Sequence, residues 1–274
     1  MLQSSNIVVP ILIFLSMVLS FATCAVSVLP LRKEASHRAD QVSQLLYGER
    51  AEILQVKDDY WAQVRCLSDE YEGWCLLGQL HIISKREFHK EPKFIAQGFG
   101  NKLICAEAEI ILPMAACLRP SNFLLGGVKA KFKGKKILIS DLKPSSEGIE
   151  KIASSFRYAP YLWGGRSLEG IDCSGLSQIV MRMNGIAIAR DASQQALQGE
   201  TITFLQEARC GDLAFFANAE GRINHVGILL NEQHIIHATE TAGQVVIDKI
   251  DQEGIVSKLL RKRTHSLRLI KRYF

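Results

Sequence analysis

Short runs in which apolar and polar residues alternate dominate the chain from residue 25 to residue 142. Alternation of this kind is typical of strands that bury one face. The runs cover residues 45–49, 51–56, 60–65 and 71–75 in the first half, and residues 94–98, 102–106, 109–112 and 128–132 in the second. Strands of this number and length, separated by polar turns, predict two small β-barrels over residues 25–79 and 80–142.

A third unit, over residues 145–274, begins after Pro144, where two serines predict a helix cap. Near its middle, two apolar runs at residues 224–230 and 234–238 are joined by three polar residues. Apolar runs with so short a polar link predict a β-hairpin.

The most informative stretch of this unit is a glycine-rich loop followed by a helical pattern. Glycines at 164, 165 and 170 indicate a tight loop. Apolar residues then recur at helical spacing: Cys173, Leu176, Val180 and Met183. Asp172 stands where a helix N-cap belongs, so Cys173 is predicted in the first helical turn.

A cysteine at a helix N-terminus is a candidate nucleophile. The positive end of the helix dipole favours the thiolate form of Cys173. The alternative is that Cys173 is a small buried apolar residue, as most free cysteines are.

A nucleophilic cysteine needs a base and a group that orients the base. Two of the seven histidines, His225 and His237, lie in the two arms of the predicted hairpin. On one face of such a hairpin, both imidazoles would point towards the same place. His225 and His237 are therefore the candidate partners of Cys173.

The N-terminal segment has a different composition. Residues 7–29 carry no charge, and residues 7–15 are strongly apolar. This indicates a signal peptide or membrane anchor over residues 1–24, although no Lys or Arg precedes the apolar core. We therefore expect an exported or membrane-held protein that faces the cell envelope; a cytoplasmic protein is the alternative.

Charge and cysteine content exclude several other classes. The net charge is +5, and much of it comes from residues 258–272. Alternating lysines around Lys131 favour a solvated strand edge over a nucleic-acid surface. There is no glycine-rich phosphate loop and no Cys-x-x-Cys metal pair.

Among the seven cysteines, Cys66 and Cys75 flank one predicted hairpin and would be the pair to form a disulfide after export.

Several motifs in one order strongly resemble the NlpC-type papain-like cell-wall cysteine peptidases. They cover residues 160–165, 172–176, 211–213, 225–228 and 236–238. The resemblance implies an α+β papain-like catalytic domain over residues 145–274, in which a helix-borne cysteine packs on an antiparallel sheet. The units at 25–79 and 80–142 resemble bacterial SH3-like domains, the second more weakly.

The resemblance also implies roles for individual residues. Cys173 would be the nucleophile, His225 the general base, and His237 the group that orients its imidazole. The hydroxyl of Tyr161 would help the Cys173 backbone N–H to hold the oxyanion. No metal and no cofactor is implied.

Two barrels before a peptidase resemble the branch that cuts between γ-D-glutamate and the diamino acid of freed peptidoglycan stem peptides. In that branch acidic and polar groups hold the free N-terminal amine of the substrate. The matching positions here are Asp172, Ser174, Ser193, Tyr161 and Trp163, together with Glu49 and Tyr71 from the first barrel. The expected partners are therefore stem peptides or muropeptides, with no nucleic acid and with membrane contact only through the N-terminal segment.

Other functions stay open at this point. An endopeptidase that acts on intact cell wall, or a catalytically inactive wall-binding protein, would carry the same domains. A zinc site would use Cys173, His225 and His237, which are ordinary zinc ligands. Zinc itself stabilises a thiolate, however, and needs neither the helix N-terminus nor the glycine loop.

Overall fold

The computed structural model describes residues 18–105, 108–118 and 130–274. Most of the apolar segment expected at residues 1–24 lies outside these residues. No helix in the described part of the chain is both long and apolar enough to span a membrane. The chain forms three units, which we call the N-terminal barrel (residues 20–83), the middle unit (residues 84–142) and the C-terminal unit (residues 145–274).

Seven antiparallel strands make up the N-terminal barrel. They are β1 (Ser20–Cys24), β2 (Val28–Arg32), β3 (Gln41–Leu46), β4 (Arg50–Lys57), β5 (Trp61–Cys66), β6 (Glu72–Leu76) and β7 (Leu80–Ile83). Their order in the sheet is β3-β2-β6-β5-β4-β1-β7. Alternating side chains such as Leu29 and Leu31, or Ala62 and Val64, are fully buried, as a period of two requires.

The barrel begins earlier and ends later than the sequence pattern predicted. We placed the start of the barrel at residue 25, but β1 precedes that residue and pairs with both β4 and β7. Ala22 and Cys24 of β1 are buried in the barrel core. An apolar segment that ended at residue 24 would therefore include a strand of the barrel, and cleavage there would remove it.

Cys66 and Cys75 are both buried free thiols. On β5 the residue opposite Cys75 is Ala62, four positions before Cys66. At about 3.3 Å per residue this offset is roughly 13 Å along the strand. A disulfide needs α-carbons within about 7 Å. The disulfide considered from the sequence is therefore incompatible with the strand register.

In its described residues, 84–105, 108–118 and 130–142, the middle unit contains one short α-helix and six short strands. These are α1 (Lys85–Phe88), β8 (Phe94–Ala96), β9 (Asn101–Ile104), β10 (Glu109–Leu112), β11 (Cys117–Leu118), β12 (Lys131–Lys133) and β13 (Lys136–Leu138). The strands form two three-stranded sheets around Ala96, Leu103 and Leu112. A second small β unit is therefore present, and its likeness to an SH3 domain stays a prediction. Lys131 and Lys133 are exposed on β12, as a solvated edge requires.

The C-terminal unit combines helices with a large antiparallel sheet. Its elements are α2 (Ser146–Ser155), β14 (Arg166–Ser167), β15 (Gly170–Ile171), α3 (Cys173–Arg182), α4 (Ala192–Gln195), β16 (Glu200–Ile202), β17 (Leu213–Ala217), β18 (Ile223–Leu229), β19 (His234–Thr239), β20 (Gln244–Asp251), β21 (Gly254–Ser257) and β22 (Lys262–Arg272). The sheet order is β16-β22-β17-β18-β19-β20-β21, and β22 also pairs with β21. Six strands therefore close on themselves. Helix α3 packs against β18 and β19, which are the predicted hairpin.

A buried ion-pair cluster joins the three units. Glu49, at the start of β4, is 3% exposed and lies against Arg166 and Arg182 of the C-terminal unit. Arg166 Nη1 donates to Glu49 Oε2 at 2.8 Å, and its Nη2 donates to Oε1 at 3.1 Å. Arg182 also reaches the sulfur of Cys117 in the middle unit at 3.0 Å. Burial by itself would raise the pKa of Glu49, but the two guanidinium groups outweigh it and lower the pKa to about 2.

We predict that Glu49→Gln destabilises the folded protein strongly, because the buried Arg166 and the partly buried Arg182 lose their counter-charge. The expected loss is about 3–5 kcal/mol in the free energy of unfolding. The matched control is Glu72→Gln, whose carboxylate pairs with Arg65 at an exposed site and should cost less than about 1 kcal/mol. Denaturant unfolding of both variants measures the difference.

The pH dependence of the same variants gives a second readout. Because folding lowers the pKa of Glu49 from 4.5 to about 2, its contribution is fully present above 4.5 and is lost as the pH falls through about 2. This part of the acid destabilisation should disappear in Glu49→Gln. Equal losses for Glu49→Gln and Glu72→Gln would contradict the cluster's structural role.

Candidate active site

Cys173 is the first residue of helix α3, as predicted. Asp172 caps this helix: its Oδ1 accepts from the Gly175 N–H at 2.7 Å. Its Oδ2 accepts from the Gly164 N–H at 2.8 Å, which holds the glycine-rich loop against the helix start. Gly164 has a φ of +73°, and a β-carbon there would lie 2.9 Å from the Gln41 carbonyl oxygen of the barrel. One carboxylate thus fixes the loop and the helix end that carries Cys173.

Arg190 binds the same carboxylate and was not predicted. Its Nη2 donates to Asp172 Oδ2 at 2.6 Å and its Nη1 donates to Oδ1 at 3.1 Å. Its Nη1 also donates to Ser174 Oγ at 2.7 Å, and its Nε donates to Ser43 Oγ of the barrel at 3.0 Å. Arg190 is 1% exposed, so this is a buried, bidentate ion pair.

The two histidines meet across the β18–β19 hairpin, as the sequence predicted. His225 Nε2 lies 2.8 Å from His237 Nδ1. Gly227 lies on β18, two residues after His225, and faces His237 on β19. A β-carbon at Gly227 would lie 3.0 Å from the His237 β-carbon. Because that position has no side chain, the two rings on diagonal positions can touch. Both histidines are buried, at 7% and 1% exposure.

Two more side chains complete this cluster, and neither was predicted. Asp248 on β20 places Oδ2 3.2 Å from His237 Nε2. His265 on β22 stacks on His225, with ring centroids 4.1 Å apart and planes inclined by 27°. Sequence spacing did not connect either residue to His225 or His237, because the two residues lie on other strands, β20 and β22.

Electrostatics favour a neutral cysteine and a neutral histidine in the free protein. Burial raises the pKa of the Cys173 thiol to about 12, and the Asp172 charge adds to this effect. Backbone groups at Val226 and Ser174 hydrogen-bond the sulfur and oppose the shift without cancelling it. Burial, with His237 and His265 nearby, lowers the pKa of His225 well below 6.5. Burial therefore opposes the thiolate form that the helix dipole alone favours.

Two of the predicted aromatic residues lie close to Cys173 and the barrel. Tyr161 is half-buried, and burial together with the charges of Cys173 and Asp172 raises the pKa of its hydroxyl, which stays a proton donor. Trp163 is 59% exposed. Its carbonyl accepts from Gln41 Nε2 of the barrel at 2.9 Å.

Three predicted substrate-binding residues are already occupied, which corrects the sequence-based assignment. The Asp172 carboxylate binds Arg190, and the Glu49 carboxylate binds Arg166 and Arg182. Ser174 Oγ accepts from Arg190 and lies 3.3 Å from Asp172 Oδ1. All three are buried, so none presents a free group to an incoming amine. Ser193 is exposed on α4.

An unpredicted carboxylate, Asp191, lies between these groups and the barrel. It precedes α4 and makes no ion pair within the described chain, unlike Asp172 and Glu49. Burial outweighs the neighbouring Arg190 charge and raises the pKa of Asp191, while the nearby Tyr71 side chain opposes the shift. Asp191 and Tyr71 thus form a polar pair across the seam between the C-terminal unit and the barrel.

The zinc hypothesis does not fit the directions of the imidazole nitrogens. His225 Nε2 and His237 Nδ1 point at each other at hydrogen-bond distance, and His237 Nε2 points at Asp248. A shared zinc ion would need nitrogens directed at one point about 2.0–2.1 Å away. No group of three or more metal-ligand side chains is arranged for a metal among residues 18–105, 108–118 and 130–274.

A cysteine at the start of a helix, packed against an antiparallel sheet that carries two linked histidines, is the arrangement of a papain-like, cysteine-type hydrolase. The NlpC/P60 family model matches residues 158–264, and the model of the bacterial dipeptidyl-peptidase SH3 domain matches residues 31–80. The probable endopeptidase NlpC of Escherichia coli is 34% identical over 107 residues, which are 38% of this chain and 69% of that protein. The chain belongs to the NlpC/P60 family.

Two longer relatives match a larger part of the chain. The γ-D-glutamyl-L-lysine dipeptidyl-peptidase of Bacillus subtilis is 29% identical over 224 residues, covering 75% of this chain and 74% of that protein. Dipeptidyl-peptidase 6 of Lysinibacillus sphaericus is 26% identical over 248 residues, covering 80% and 88%. The protein is therefore a cysteine-type peptidase that acts on cell-wall peptides, which confirms the resemblance seen in the sequence.

A solved structure extends the likeness to the whole fold. A NlpC/P60 family protein from Bacillus cereus superposes with a TM-score of 0.77 at 20% identity, covering 93% of this chain and 99% of that one. The order of the three units thus recurs as a fold.

We predict that Cys173 is a thiol, and not a thiolate, in the free protein near neutral pH. The thiolate signal in the ultraviolet difference spectrum between wild type and Cys173→Ser should appear only above the ordinary pKa of 9.0, because burial raises the pKa of this thiol to about 12. The six other cysteines cancel in the difference. A thiolate signal at neutral pH that disappears in His225→Ala would show a preformed ion pair and contradict this account.

Proposed function

We propose that the protein hydrolyses the bond between γ-D-glutamate and the diamino acid in stem peptides whose N-terminal L-alanine is free. The observation that carries this proposal is the Asp191–Tyr71 pair at the barrel seam, close to the helix start that bears Cys173. The names of the Bacillus subtilis and Lysinibacillus sphaericus relatives, both dipeptidyl-peptidases, support it.

In the proposed mechanism Cys173 attacks the carbonyl carbon of the γ-D-glutamyl amide. His225 removes the thiol proton as the sulfur attacks, so that the thiolate forms only in the reaction. The protonated imidazole then donates this proton to the leaving amine of the diamino acid. Water, deprotonated by His225, attacks the thioester carbonyl; the C–S bond breaks, the dipeptide is released, and His225 returns its proton to the Cys173 sulfur. His237 keeps the His225 ring in place throughout.

The oxyanion of each tetrahedral intermediate needs hydrogen-bond donors in a site with little water. The Cys173 backbone N–H at the helix start and the Tyr161 hydroxyl are the proposed donors. Because the pKa of this hydroxyl is raised above 10, it stays protonated and donates at neutral pH. Donors of this kind contribute roughly a hundredfold or more to the rate.

The free amine of the substrate is assigned to Asp191, because the carboxylates of Asp172 and Glu49 are occupied by arginines. An ammonium group would form a charge-assisted hydrogen bond with the Asp191 carboxylate, beside the Tyr71 side chain. The barrel limits the cleft on this side: Gln41, Ser43 and Asp69 all contact the C-terminal unit. A peptide whose N-terminus continues into a glycan has no ammonium group for Asp191 and meets the barrel.

We predict a preference for the free amine that depends on Asp191. With L-Ala-γ-D-Glu-diaminopimelate and its N-acetylated form as substrates, kcat/KM should favour the free amine by roughly tenfold to a hundredfold, the usual value of a charged hydrogen bond. Asp191→Asn should remove most of this preference. The matched control is Glu240→Gln, an exposed carboxylate near Tyr161, which should retain it. Cys173→Ser gives the background rate.

Mass spectrometry of the products identifies the bond that is cut. Release of L-Ala-D-Glu from the free peptide is the expected result. Equal kcat/KM for both peptides, or equal activity on intact sacculi, would mean that no amine site exists and would favour an endopeptidase of intact wall. Loss of the preference in Glu240→Gln but not in Asp191→Asn would overturn the assignment of Asp191. No cleavage by wild type would favour a wall-binding protein.

A further inference from the structure

Asp248 ends a line of three buried side chains on neighbouring strands. His225 lies on β18, His237 on β19 and Asp248 on β20. We propose that Asp248 is a positioning residue that fixes the tautomers of both histidines and so leaves His225 Nδ1 unprotonated, as a base requires. This inference rests on the proposed role of His225 as the general base.

Each of the two carboxylate oxygens of Asp248 has its own hydrogen-bond partner. Oδ1 accepts from the Lys258 backbone N–H at 2.8 Å, and Oδ2 faces His237 Nε2 at 3.2 Å. The carboxylate is 5% exposed. Burial by itself would raise the pKa of Asp248, but hydrogen bonds from His237 and Lys258 and the nearby histidines lower it overall. An ionised carboxylate has no proton to donate, so it acts only as an acceptor.

The tautomers follow from this acceptor in two steps. Because Asp248 only accepts, the proton of neutral His237 lies on Nε2, and its Nδ1 has a free lone pair. That lone pair faces His225 Nε2 at 2.8 Å, so His225 Nε2 carries the proton of its neutral ring. The Nδ1 of His225 is then the unprotonated nitrogen. A neutral imidazole has one donor and one acceptor nitrogen, so no other neutral arrangement satisfies both hydrogen bonds.

The groups around this line do not compete for these hydrogen bonds. His265 stacks on His225 through its ring face, and its Nδ1 is 2.9 Å from Thr264 Oγ1. Phe216 packs beside the rings of His225 and His265, with its ring centroid 5.7 Å from that of His225. The side chain of Lys258 is exposed, and it is the backbone of this residue that meets Asp248. Asp248 is thus the charged group at the end of the line.

The proposal predicts an unusual order for two substitutions. In Asp248→Asn the amide oxygen is held by the Lys258 N–H, so the amide NH₂ faces His237 Nε2 as a donor. His237 must then carry its proton on Nδ1 and donate to His225 Nε2, which moves the His225 proton to Nδ1. The base is lost. Asp248→Ala removes the constraint without reversing it, so both tautomers remain populated.

The test compares both variants with wild type in steady-state kinetics on the free stem peptide. We expect kcat to fall on the order of ten-thousandfold in Asp248→Asn, as in a serine-protease triad whose histidine is held in the wrong tautomer, and by a smaller factor in Asp248→Ala. KM should change little in either variant. Asp251→Asn, an exposed carboxylate on the same strand, is the matched control and should keep wild-type kcat. Thermal unfolding shows whether each variant is folded.

NMR of the imidazole nitrogens, in protein with isotope-labelled histidine, identifies the tautomers directly. In wild type we expect a proton on His225 Nε2 and on His237 Nε2, and in Asp248→Asn a proton on Nδ1 of both rings. The proposal is overturned by unchanged tautomers in Asp248→Asn, by a doubly protonated His237 in wild type at neutral pH, or by a kcat that falls further in folded Asp248→Ala than in Asp248→Asn. Because the spectra need no turnover, they separate failure of this proposal from failure of the proposed function.

Discussion

The buried ion pair of Asp172 and Arg190 is the interaction on which the rest of the site depends. Asp172 caps the helix that begins with Cys173 and accepts from the glycine-rich loop before it. Arg190 satisfies the remaining charge and reaches Ser43 of the barrel. The pair therefore sets the position of the sulfur, the path of the loop and the place of the barrel together. Removing either partner would leave an unpaired buried charge, which costs several kcal/mol.

Helix and sheet contribute different properties to the proposed reaction. The helix supplies a buried thiol beside backbone N–H groups, and burial raises the pKa of that thiol to about 12. The sheet supplies a line of acceptors and donors from His225 to Asp248, in which each contact links diagonal positions on adjacent strands. Burial shifts the pKa values of Cys173 and His225 towards the neutral forms, so in the proposed reaction charge develops as the proton moves from sulfur to imidazole. A site of this kind relies on groups that are in place before the substrate arrives.

Sequence reasoning reached the parts of the site that local pattern determines. The helix start at Cys173 follows from Asp172 and the apolar spacing after it, and the contact of His225 with His237 follows from the hairpin. The fold class followed from the order of the motifs. Alternation also located most strands of the first barrel, because half-buried strands impose it.

What the sequence did not reveal depends on contacts between distant segments. Asp172 and Glu49 were interpreted as carboxylates available to the substrate. Their partners, Arg190 and Arg166, can be recognised only in the folded structure. The strand β1 was assigned to an apolar leader, since a buried strand and a leader share the same composition. Asp248 left one signal, a carboxylate among the apolar residues of a buried strand, but its partner His237 lies on the neighbouring strand. The raised pKa of Cys173 depends on burial, which a helix dipole argument does not include.

The central claim is that the barrel and the C-terminal unit form one site for a stem peptide with a free N-terminus. A crystal structure of Cys173→Ser with bound L-Ala-γ-D-Glu-diaminopimelate tests it most directly. The account predicts the alanine ammonium within hydrogen-bond distance of the Asp191 carboxylate, and the γ-D-glutamyl carbonyl carbon next to the hydroxyl oxygen that replaces the Cys173 sulfur. An ammonium group in solvent, or one that has displaced Arg190 from Asp172 or Arg166 from Glu49, would contradict it.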